Sequence, residues 1–504
     1  MQQLENNLTA LYRALVNKEF IARKIADSSH ADNKLSVMNL VRYVTLRNQD
    51  LRNVHDHLSE LGISSLRSCE AYVMHNVISV LGLVKSINGS KWHPDDSVEM
   101  VGYKESKKRI KRNTARLFGT KVKGERLTKV MVTLPVEAAY DIEIIRGLMQ
   151  GGMDIARINL SHGTEEEWKA MVDKIELLQE ELNTQCSIYM DLSGPKIRTG
   201  SISSTNAKGE LKPFIKISTG DHLILTSTEE VNNSSIKQKS TRRFPKIPVS
   251  LNAIIEDANV GDRIFFDDGL AETKVIKKRD GELEVIVLRC NDGFKLKSEK
   301  GINLPDTVLS LPSLTNADIR NMPFVMKHAD IVGYSFVRTV ADIKALHQQI
   351  DKYKREDIGV VLKIENQESF DNLPILLIEA MKKSKVGVMI ARGDLAVEIG
   401  PVRIAEVQDQ IMWICEAAHV PVIWATQVLE SMAKTGKATR AEITDAAKSA
   451  RAECVMLNKG TYIQDTLKML SKILAKMEGH TSKKKSVMRA LKLSEKNIDR
   501  MGEV

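Results

Sequence analysis

The chain has 504 residues, of which 42% are hydrophobic, so it is long enough for several domains with sizeable cores. Its formal net charge is +9 at pH 7, and the excess is concentrated in residues 104–126 and in the lysine run 483–485. Neither stretch has interleaved aromatic residues or a recognisable nucleic-acid-binding module. We therefore expect phosphate-bearing small molecules, and no nucleic acid, as anionic partners.

The sequence has no apolar run of roughly 18 residues, and its amino terminus mixes charges through a helical pattern. We therefore expect no membrane span and no export. The cysteines show neither paired nor metal-ligand spacing, which is typical of proteins in a reducing compartment. They are Cys69, Cys186, Cys290, Cys415 and Cys454. These features predict a cytoplasmic protein.

Residues 1–126 are predicted to form a helical extension followed by a basic linker. Within residues 36–62 and 65–87, apolar side chains recur at three- and four-residue spacing, as in a helical hairpin. Nothing in this region resembles a catalytic group. We expect it to mediate docking or the assembly of a homo-oligomer, with residues 104–126 as the linker.

From residue 127 onward, short apolar runs alternate with amphipathic segments, which indicates parallel βα units. The alternation stops near Gly200 and resumes near residue 309, and the β-rich stretch between them predicts an inserted small β-barrel. Three strand candidates precede the insertion and five follow it. The predicted fold class is α/β, a (β/α)8 TIM barrel of residues 127–199 and 309–478. Residues 200–308, inserted after strand 3, are the predicted lid, and residues 479–504 a basic tail.

The carboxyl ends of barrel strands meet at one face, which is where (β/α)8 enzymes place their active sites. At 359–366, the run GVVLKIEN ends in Lys363 and Glu365, which lie two positions apart and so face the same side of a strand. Polar residues follow other strand candidates at Arg157, Asn159, Asp191, Ser335, Arg392, Asp394 and Thr426. We predict that these residues form one site. The alternative is a salt-bridge network that closes the barrel.

The chemistry of these residues favours phosphoryl transfer. Glu365 and Asp394 offer the hard oxygen ligands that Mg²⁺ prefers. The cations that could surround an anionic substrate are Arg157, Arg198, Lys363 and Arg392. A metal ion with clustered cations is the usual apparatus for neutralising charge during phosphoryl transfer.

Several long motifs resemble the pyruvate kinase family, in matching order and spacing, over residues 128 to about 460. They are ARINLSHG (156–163), DLSGPKIRTG (191–200), DDGL (267–270), KGINLP (300–305), SFVRT (335–339), LKIEN (362–366), ARGDLAVEIG (391–400) and WATQVLESM with TRAE (424–442). The resemblance implies phosphoryl transfer from phosphoenolpyruvate to ADP, which gives pyruvate and ATP in the last step of glycolysis. It also implies Mg²⁺, with Mn²⁺ as an alternative.

The resemblance also implies roles for single residues. Glu365 and Asp394 would hold the metal ion, and Asp268 would lie in the lid near the closed site. The substrate-binding residues would be Arg157, Lys363, Gly393, Asp394 and Thr426, of which Lys363, Thr426 and Arg157 are catalytic. The nucleotide-binding residues would be Asn159, His162 and Arg198.

The family's monovalent-cation pocket matches Asn159, Ser161, Asp191 and the carbonyl of Leu192. Many members have a glutamate where this chain has Lys196, and lysine at that place resembles the potassium-independent subgroup. A lysine ammonium that reaches the pocket would supply the same unit charge as potassium. We therefore predict that K⁺ is not required.

Two departures keep other functions open. The loop after the eighth strand, residues 458–461, differs from the family's usual sequence, which leaves a catalytically weak binding or scaffolding protein as an alternative. We also expect the family's further carboxyl-terminal domain to be missing after residue 478. Because a fold alone does not fix a function, another phosphoenolpyruvate or oxoacid enzyme is a further alternative.

Overall fold

The computed structural model describes residues 1–63, 66–95, 97–120, 126–205, 210–227, 230–232, 244–478 and 492–502. The lysine run 483–485 and residues 121–125 of the predicted linker lie outside these ranges. No helix in the described ranges is long and apolar enough to cross a membrane.

The amino-terminal region is helical, as expected. Its helices are α1 (Gln2–Asn17), α2 (Glu19–Asp27), α3 (Lys34–Arg47), α4 (Arg52–Glu60), α5 (Val73–Ile87) and α6 (Tyr103–Phe118). In α1, Leu4, Leu8 and Leu11 are buried at three- and four-residue spacing, so one face of the helix packs inward. The region docks on the barrel, where Asn39 Nδ2 donates to the Ala417 carbonyl at 2.8 Å.

The prediction that residues 104–126 form a linker is wrong for residues 104–118, because α6 continues through them to Phe118. Lysine and arginine are good helix formers, and the end of α6 carries two apolar side chains. Leu117 and Phe118 are both buried, in the same apolar cluster as Tyr189 and Met389 of the barrel. The helix therefore ends as a plug at the amino-terminal mouth of the barrel.

The first part of the barrel contains β1 (Lys129–Thr133), α7 (Ile142–Gly151), β2 (Ile155–Asn159), α8 (Glu165–Glu181) and β3 (Ser187–Asp191). The lid follows, with β4 (Ser201–Thr205), β5 (Leu211–Lys212), β6 (Phe214–Ile217), β7 (His222–Thr226), β8 (Glu230–Asn232), β9 (Lys246–Pro248), α9 (Ala253–Asp257), β10 (Arg263–Phe266), β11 (Ala271–Arg279), β12 (Glu282–Arg289), β13 (Phe294–Lys297) and β14 (Ile302–Asn303).

The lid has its own apolar core, which includes Leu223, Phe266 and Val285. Its strands form a six-stranded sheet, a two-stranded sheet and a three-stranded sheet. In the described residues, isolated bridges from Arg198 to Gly301 and from Thr199 to Val249 link the segment that enters β4 to the neighbourhood of β14 and β9 in the larger sheet.

The chain then completes the barrel. The remaining barrel strands are β15 (Ile331–Tyr334), β16 (Gly359–Ile364), β17 (Val386–Ala391), β18 (Val422–Ala425) and β19 (Cys454–Leu457). The helices are α10 (Asn316–His328), α11 (Val340–Lys352), α12 (Gln367–Asp371), α13 (Leu373–Ala380), α14 (Arg392–Ile399), α15 (Ile404–Ala417), α16 (Glu430–Thr435), α17 (Arg440–Ser449) and α18 (Ile463–Glu478). All eight strand pairs are parallel and the sheet closes in the order β1-β19-β18-β17-β16-β15-β3-β2, which confirms the predicted (β/α)8 barrel.

The described part of the predicted basic tail is a docked helix, α19 (Lys492–Ile498), followed by a short turn. Leu493 and Met501 are buried, and Asn497 Nδ2 donates to the Asp371 carbonyl of α12. Residues 492–502 of the predicted basic tail are therefore anchored on the rest of the protein by apolar side chains.

Candidate functional site

Lys363 and Glu365 lie on the inward side of β16 and its extension. Val361 belongs to the cluster inside the barrel, whereas Val360, Leu362 and Ile364 pack outward against the helices. Because side chains alternate along a strand, Lys363 and Glu365 point the same way as Val361. The Lys363 side chain is 11% exposed and the Glu365 side chain 3%, so both charges need partners.

Lys363 has those partners. Its Nζ lies 3.1 Å from Glu365 Oε1 and 3.3 Å from Asp191 Oδ2, and it donates to Ser335 Oγ at 2.8 Å. Burial works against the ammonium, but the charges of Asp191 and Glu365 outweigh it and raise the pKa of Lys363. Lys363 therefore stays charged at neutral pH.

Arg157 joins this network from β2. Its Nε donates to Asp191 Oδ2 at 2.9 Å, a second bond from Nη2 goes to the same oxygen, and Nη1 donates to Thr133 Oγ1 at 2.9 Å. Burial alone would raise the pKa of the Asp191 carboxyl, but the charges of Arg157 and Lys363 lower it. Two cations thus share one carboxylate at the carboxyl ends of β2, β3 and β16.

Two carboxylates stand beside these cations. Burial and the charge of Asp394 raise the pKa of the Glu365 carboxyl, against the lowering effect of Lys363, while Glu365 Oε2 accepts a 2.6 Å bond from the Phe336 amide. Asp394 lies in the first turn of α14. In the described parts of the chain, no group of three or more His, Cys, Asp or Glu side chains is placed to hold a metal ion. Glu365 and Asp394 are two candidate ligands only.

Lys196 occupies an unexpected position. Its Nζ lies 3.0 Å from Asp394 Oδ1 and 3.1 Å from Oδ2. No hydrogen bond or ion pair in the described ranges joins it to Asn159, Ser161 or Asp191, where we expected it to reach. The reason is that Asp394 offers both carboxylate oxygens to the ammonium, whereas Asp191 is already paired.

The residues of the predicted monovalent-cation pocket lie near one another but have partners of their own. Asn159 Oδ1 accepts from the Ser161 amide at 3.1 Å, and the Leu192 carbonyl accepts from Ser335 Oγ at 2.6 Å. Asp191 serves Arg157 and Lys363, as described above. A cation in this pocket would share these oxygens with protein donors.

A cavity of about 300 Å³ brings Asn159 and His162 together with Arg157. Its wall includes Lys434 and Lys459, which sequence reasoning did not assign. Burial, with the charges of Lys459, Arg198 and Arg157, lowers the pKa of His162. The only sequence signal for Lys459 was the changed loop at 458–461, and none pointed to Lys434.

Arg198, a predicted nucleotide-binding residue, does not line this cavity, and neither does Asp268, the predicted lid residue. Arg198 Nη1 donates to the Glu299 carbonyl within the lid at 3.1 Å. Burial raises the pKa of the Asp268 carboxyl, with Lys196 lowering it and Asp394 raising it. Asp268 therefore faces the edge of the barrel where Lys196 meets Asp394.

Thr426 and Gly393 are directly linked, since the Gly393 amide donates to Thr426 Oγ1 at 2.8 Å. Thr426 has a left-handed backbone with φ of 64°, which is costly for a β-branched residue and is typical of functional sites. A hydroxyl that accepts one bond still has its own proton to donate.

Arg392 does not join the cluster, which corrects the expectation that it surrounds the substrate. Its Nη1 lies 2.5 Å from Asp445 Oδ1, and its Nε donates to the Ala425 carbonyl at 3.0 Å. The guanidinium also stacks on Trp424, 4.9 Å from the ring centroid. Arg392 ties α14 to β18 and α17, and Asp445 carried no sequence signal.

The fold and site define a lidded (β/α)8 barrel with a buried charge cluster at the carboxyl ends of its strands. The family model for the pyruvate kinase barrel domain matches residues 125–465. The chain therefore belongs to the pyruvate kinase family.

Individual relatives agree with this assignment. The chain is 34% identical over 382 residues to a pyruvate kinase of Staphylococcus epidermidis, covering 74% of this chain and 60% of the relative. It is 31% identical over 367 residues to a pyruvate kinase of Bacillus licheniformis, covering 71% of this chain and 58% of the relative. A crystal structure of a pyruvate kinase from Cryptosporidium parvum has a TM-score of 0.62 at 28% identity, covering 71% of this chain and 70% of that one. The matched region thus spans about 60% of the length of the curated relatives.

Proposed function

We propose that the chain is a pyruvate kinase, which transfers a phosphoryl group from phosphoenolpyruvate to ADP and releases pyruvate and ATP as the last step of glycolysis in the cytoplasm. The observation that carries the proposal is the buried cluster of Lys363, Arg157 and Asp191 beside Glu365. It lies at the face of the barrel where substrates bind in this fold.

In this proposal, Lys363 stabilises the charge on the moving phosphoryl group and Arg157 binds its oxygens. Both cations are already fixed by Asp191, so little reorganisation is needed when charge develops on the phosphoryl oxygens. The substrate carboxylate is received at the start of α14 by the backbone amides at Gly393 and Asp394, and the Gly393 amide would exchange its bond to Thr426 Oγ1 for this contact. Thr426, whose hydroxyl accepts from the Gly393 amide, lies on the proton-delivery side of the enolate and would pass on a proton that it regains from solvent.

The residues present fit a divalent metal ion. The raised pKa of Glu365 reflects, besides burial, a second carboxylate at Asp394, and a cation between such groups would relieve that repulsion. Carboxylate oxygens suit Mg²⁺, with Mn²⁺ as an alternative. When bound, the ion supplies neutralisation of charge on the phosphoryl oxygens. For the ion to bind Asp394, Lys196 would have to give up its contact with that carboxylate.

We further propose that K⁺ is not required. The support is that Asp191, the charged member of the monovalent pocket, is already balanced by Arg157 and Lys363. Lys196 adds a positive charge at the rim of the site.

The nucleotide is proposed to occupy the 300 Å³ cavity at Asn159 and His162, with Arg198 and Asp268 brought in by the lid. Lys434 and Lys459 on the same wall would attract its phosphates. The proposed domain limits are 1–126, 127–199 with 309–478, 200–308 and 479–504. We also propose a homo-oligomer, in which the helical region supplies contacts between subunits.

A coupled assay with phosphoenolpyruvate, ADP and Mg²⁺, with and without K⁺, tests the proposal against Lys363→Ala. We expect wild-type turnover that needs Mg²⁺ and is lost in the variant. Wild-type activity no higher than that of Lys363→Ala would favour the scaffolding alternative. The buried ion pairs of Lys363 with Asp191 and Glu365 would then have a purely structural role. Consumption of phosphoenolpyruvate without ADP would favour another enzyme on the same barrel.

A further inference from the structure

The chain crosses from the lid back to the barrel within a few residues. The side chains of Leu309 and Leu311 pack against the apolar core of the lid. Leu314, three positions further on, belongs to the apolar core that the barrel shares with its helices. Residues 309–314, which we call the return segment, therefore connect the two cores directly.

Arg338, in the turn after β15, holds the return segment. Its Nη1 donates to the Leu309 carbonyl at 2.6 Å, and its Nη2 donates to the Leu311 carbonyl. Hydrogen bonds from a charged donor are about twice as strong as those between neutral groups. The planar guanidinium thus joins a turn of the barrel to two points on the connection from the lid.

The same turn holds a candidate metal ligand. The Phe336 amide donates to Glu365 Oε2 at 2.6 Å, and the Phe336 carbonyl accepts from Ser313 Oγ of the return segment at 2.7 Å. Phe336 has a left-handed backbone with φ of 55°, which is costly for a bulky residue and persists only where the surroundings fix it. One strained turn therefore contacts both Glu365 and the return segment.

The backbone of Arg338 is also held in place. Its amide donates to Asp342 Oδ2 at 3.0 Å, and its carbonyl accepts from Asn372 Nδ2 at 2.9 Å. Asn372 is buried, and its Oδ1 accepts from Arg500 Nη1 of the carboxyl-terminal segment at 2.5 Å. Because the backbone is bonded on both sides of the side chain, the guanidinium has a defined position from which to hold the return segment.

We propose that Arg338 is a positioning residue, which fixes the lid relative to Glu365 by holding the Leu309 and Leu311 carbonyls. In the described part of the chain it does not line the proposed nucleotide cavity, so it acts through the lid residues Arg198 and Asp268. Its effect on turnover rests on the proposed function, whereas its hold on the lid does not.

Hydrogen exchange measured by mass spectrometry, on the full chain without substrates, tests the hold on the lid. In Arg338→Met, the amides of residues 304–314 should exchange about tenfold faster, as for the loss of a hydrogen bond from a charged group. The lid strand β12 should exchange as in wild type, because the lid core is untouched. Arg320→Met removes a cation from an exposed position on α10 and should leave both rates unchanged.

Steady-state kinetics test the link to the proposed reaction. Arg338→Met should raise the Michaelis constant for ADP by about three- to tenfold with a smaller fall in kcat, as for the loss of binding that the ground and transition states share. The reason is that Lys363 keeps its partners while the lid residues lose their fixed position. Arg338→Lys keeps the charge but lacks the planar fork, so both its exchange rate and its Michaelis constant should be intermediate.

Unchanged exchange of residues 304–314 in Arg338→Met would overturn the proposal. Faster exchange of β12 as well would also overturn it, because the whole lid would then be destabilised. Faster exchange with wild-type kinetics would reduce Arg338 to a purely structural residue, and wild-type values of both in Arg338→Lys would mean that charge alone is sufficient.

If Arg338→Met does not fold, Arg338→Lys decides by the same two measurements, since intermediate values support the proposal and wild-type values overturn it. A wild-type protein without pyruvate kinase turnover would refute the proposed function instead. The exchange rates would still decide whether Arg338 holds the lid.

Discussion

The ammonium of Lys196 lies 3.0 Å from Asp394 Oδ1 and 3.1 Å from Oδ2, so a proposed metal ligand already has a cationic partner. The contact joins the segment that leads into the lid to the first turn of α14. A divalent ion that binds Asp394 must displace this lysine.

Replacing Lys196 with methionine should therefore raise the affinity for Mg²⁺. The Lys196 side chain is partly exposed, so the gain should be modest, about two- to fivefold. Calorimetric titration with MgCl₂ in the absence of substrates measures it. Lys300→Met, which removes a similar partner from Asp267, is the matched control and should leave the affinity unchanged. Weaker Mg²⁺ binding in Lys196→Met would show that the lysine does not compete.

Lys363→Met and Glu365→Gln should separate the two functions proposed for the strand end. Lys363→Met should lower kcat by about 10²–10³-fold, as for the loss of one preorganised charge, with Mg²⁺ binding largely kept. Glu365→Gln should weaken Mg²⁺ binding. Steady-state kinetics and metal titration of both variants measure these effects.

Because Lys363 is buried between two carboxylates, Lys363→Met should also lower the free energy of unfolding by about 3–5 kcal/mol. Denaturant unfolding measures this loss. Equal loss of Mg²⁺ affinity in Lys363→Met and Glu365→Gln would instead support a purely structural ion-pair network.

Asp445→Asn should lower kcat although Asp445 is outside the charge cluster. The substitution weakens the hold on Arg392, whose Nη2 also donates to the Thr426 carbonyl at 2.5 Å, so the strained Thr426 loses support. We expect a loss of about 1–3 kcal/mol in unfolding free energy, as for a hydrogen bond to a charged group. Urea unfolding and kcat measure the two effects. Unchanged kcat with reduced stability would restrict Arg392 to holding the fold.

Stability should fall as the pH drops from 6.5 towards 4 because of His419. It is buried between the barrel and the helical region, with Nε2 2.8 Å from the Ala71 carbonyl and Nδ1 3.0 Å from Ser36 Oγ. Burial lowers its pKa to about 4. The unfolded chain therefore binds the proton first, and the neutral-imidazole contribution, about 3 kcal/mol at neutral pH, is lost through this window.

Urea unfolding at pH 7 and pH 5 for wild type and His419→Gln checks this prediction. Glutamine can still donate to the Ala71 carbonyl but does not titrate, so the pH dependence should shrink. His55 and His347, whose pKa values burial also lowers to about 4, account for part of what remains. An identical pH dependence in both proteins would exclude His419 as a major source.

Leu117→Ala should destabilise the barrel by about 2–5 kcal/mol, as for other buried leucines that leave a cavity. Leu127→Ala, at a position that is 77% exposed, should have little effect and serves as the control. Thermal unfolding of the two variants measures the difference. Equal melting temperatures would mean that α6 does not contribute to the barrel core.

The barrel could be predicted because its strands are short runs buried on both faces, a pattern that local sequence carries by itself. The charge cluster could be predicted because every barrel strand ends at the same face. The partners of Lys196 and Arg392 could not be predicted. Asp394 lies 198 positions from Lys196 and Asp445 lies 53 positions from Arg392, and no local sequence pattern links either pair. The position of α6 was not predicted either, because the helix is mostly basic and only Leu117 and Phe118 at its end are buried in the barrel.

The burial of Leu117 and Phe118 inside the barrel mouth has a practical meaning for dissecting this chain. A truncation at the predicted boundary of residue 126 would remove Leu117 and Phe118, which belong to the barrel's own core. A cut before Tyr103, where α6 begins, keeps this plug in place but exposes the barrel surface on which Asn39, Ser36 and Ala71 dock.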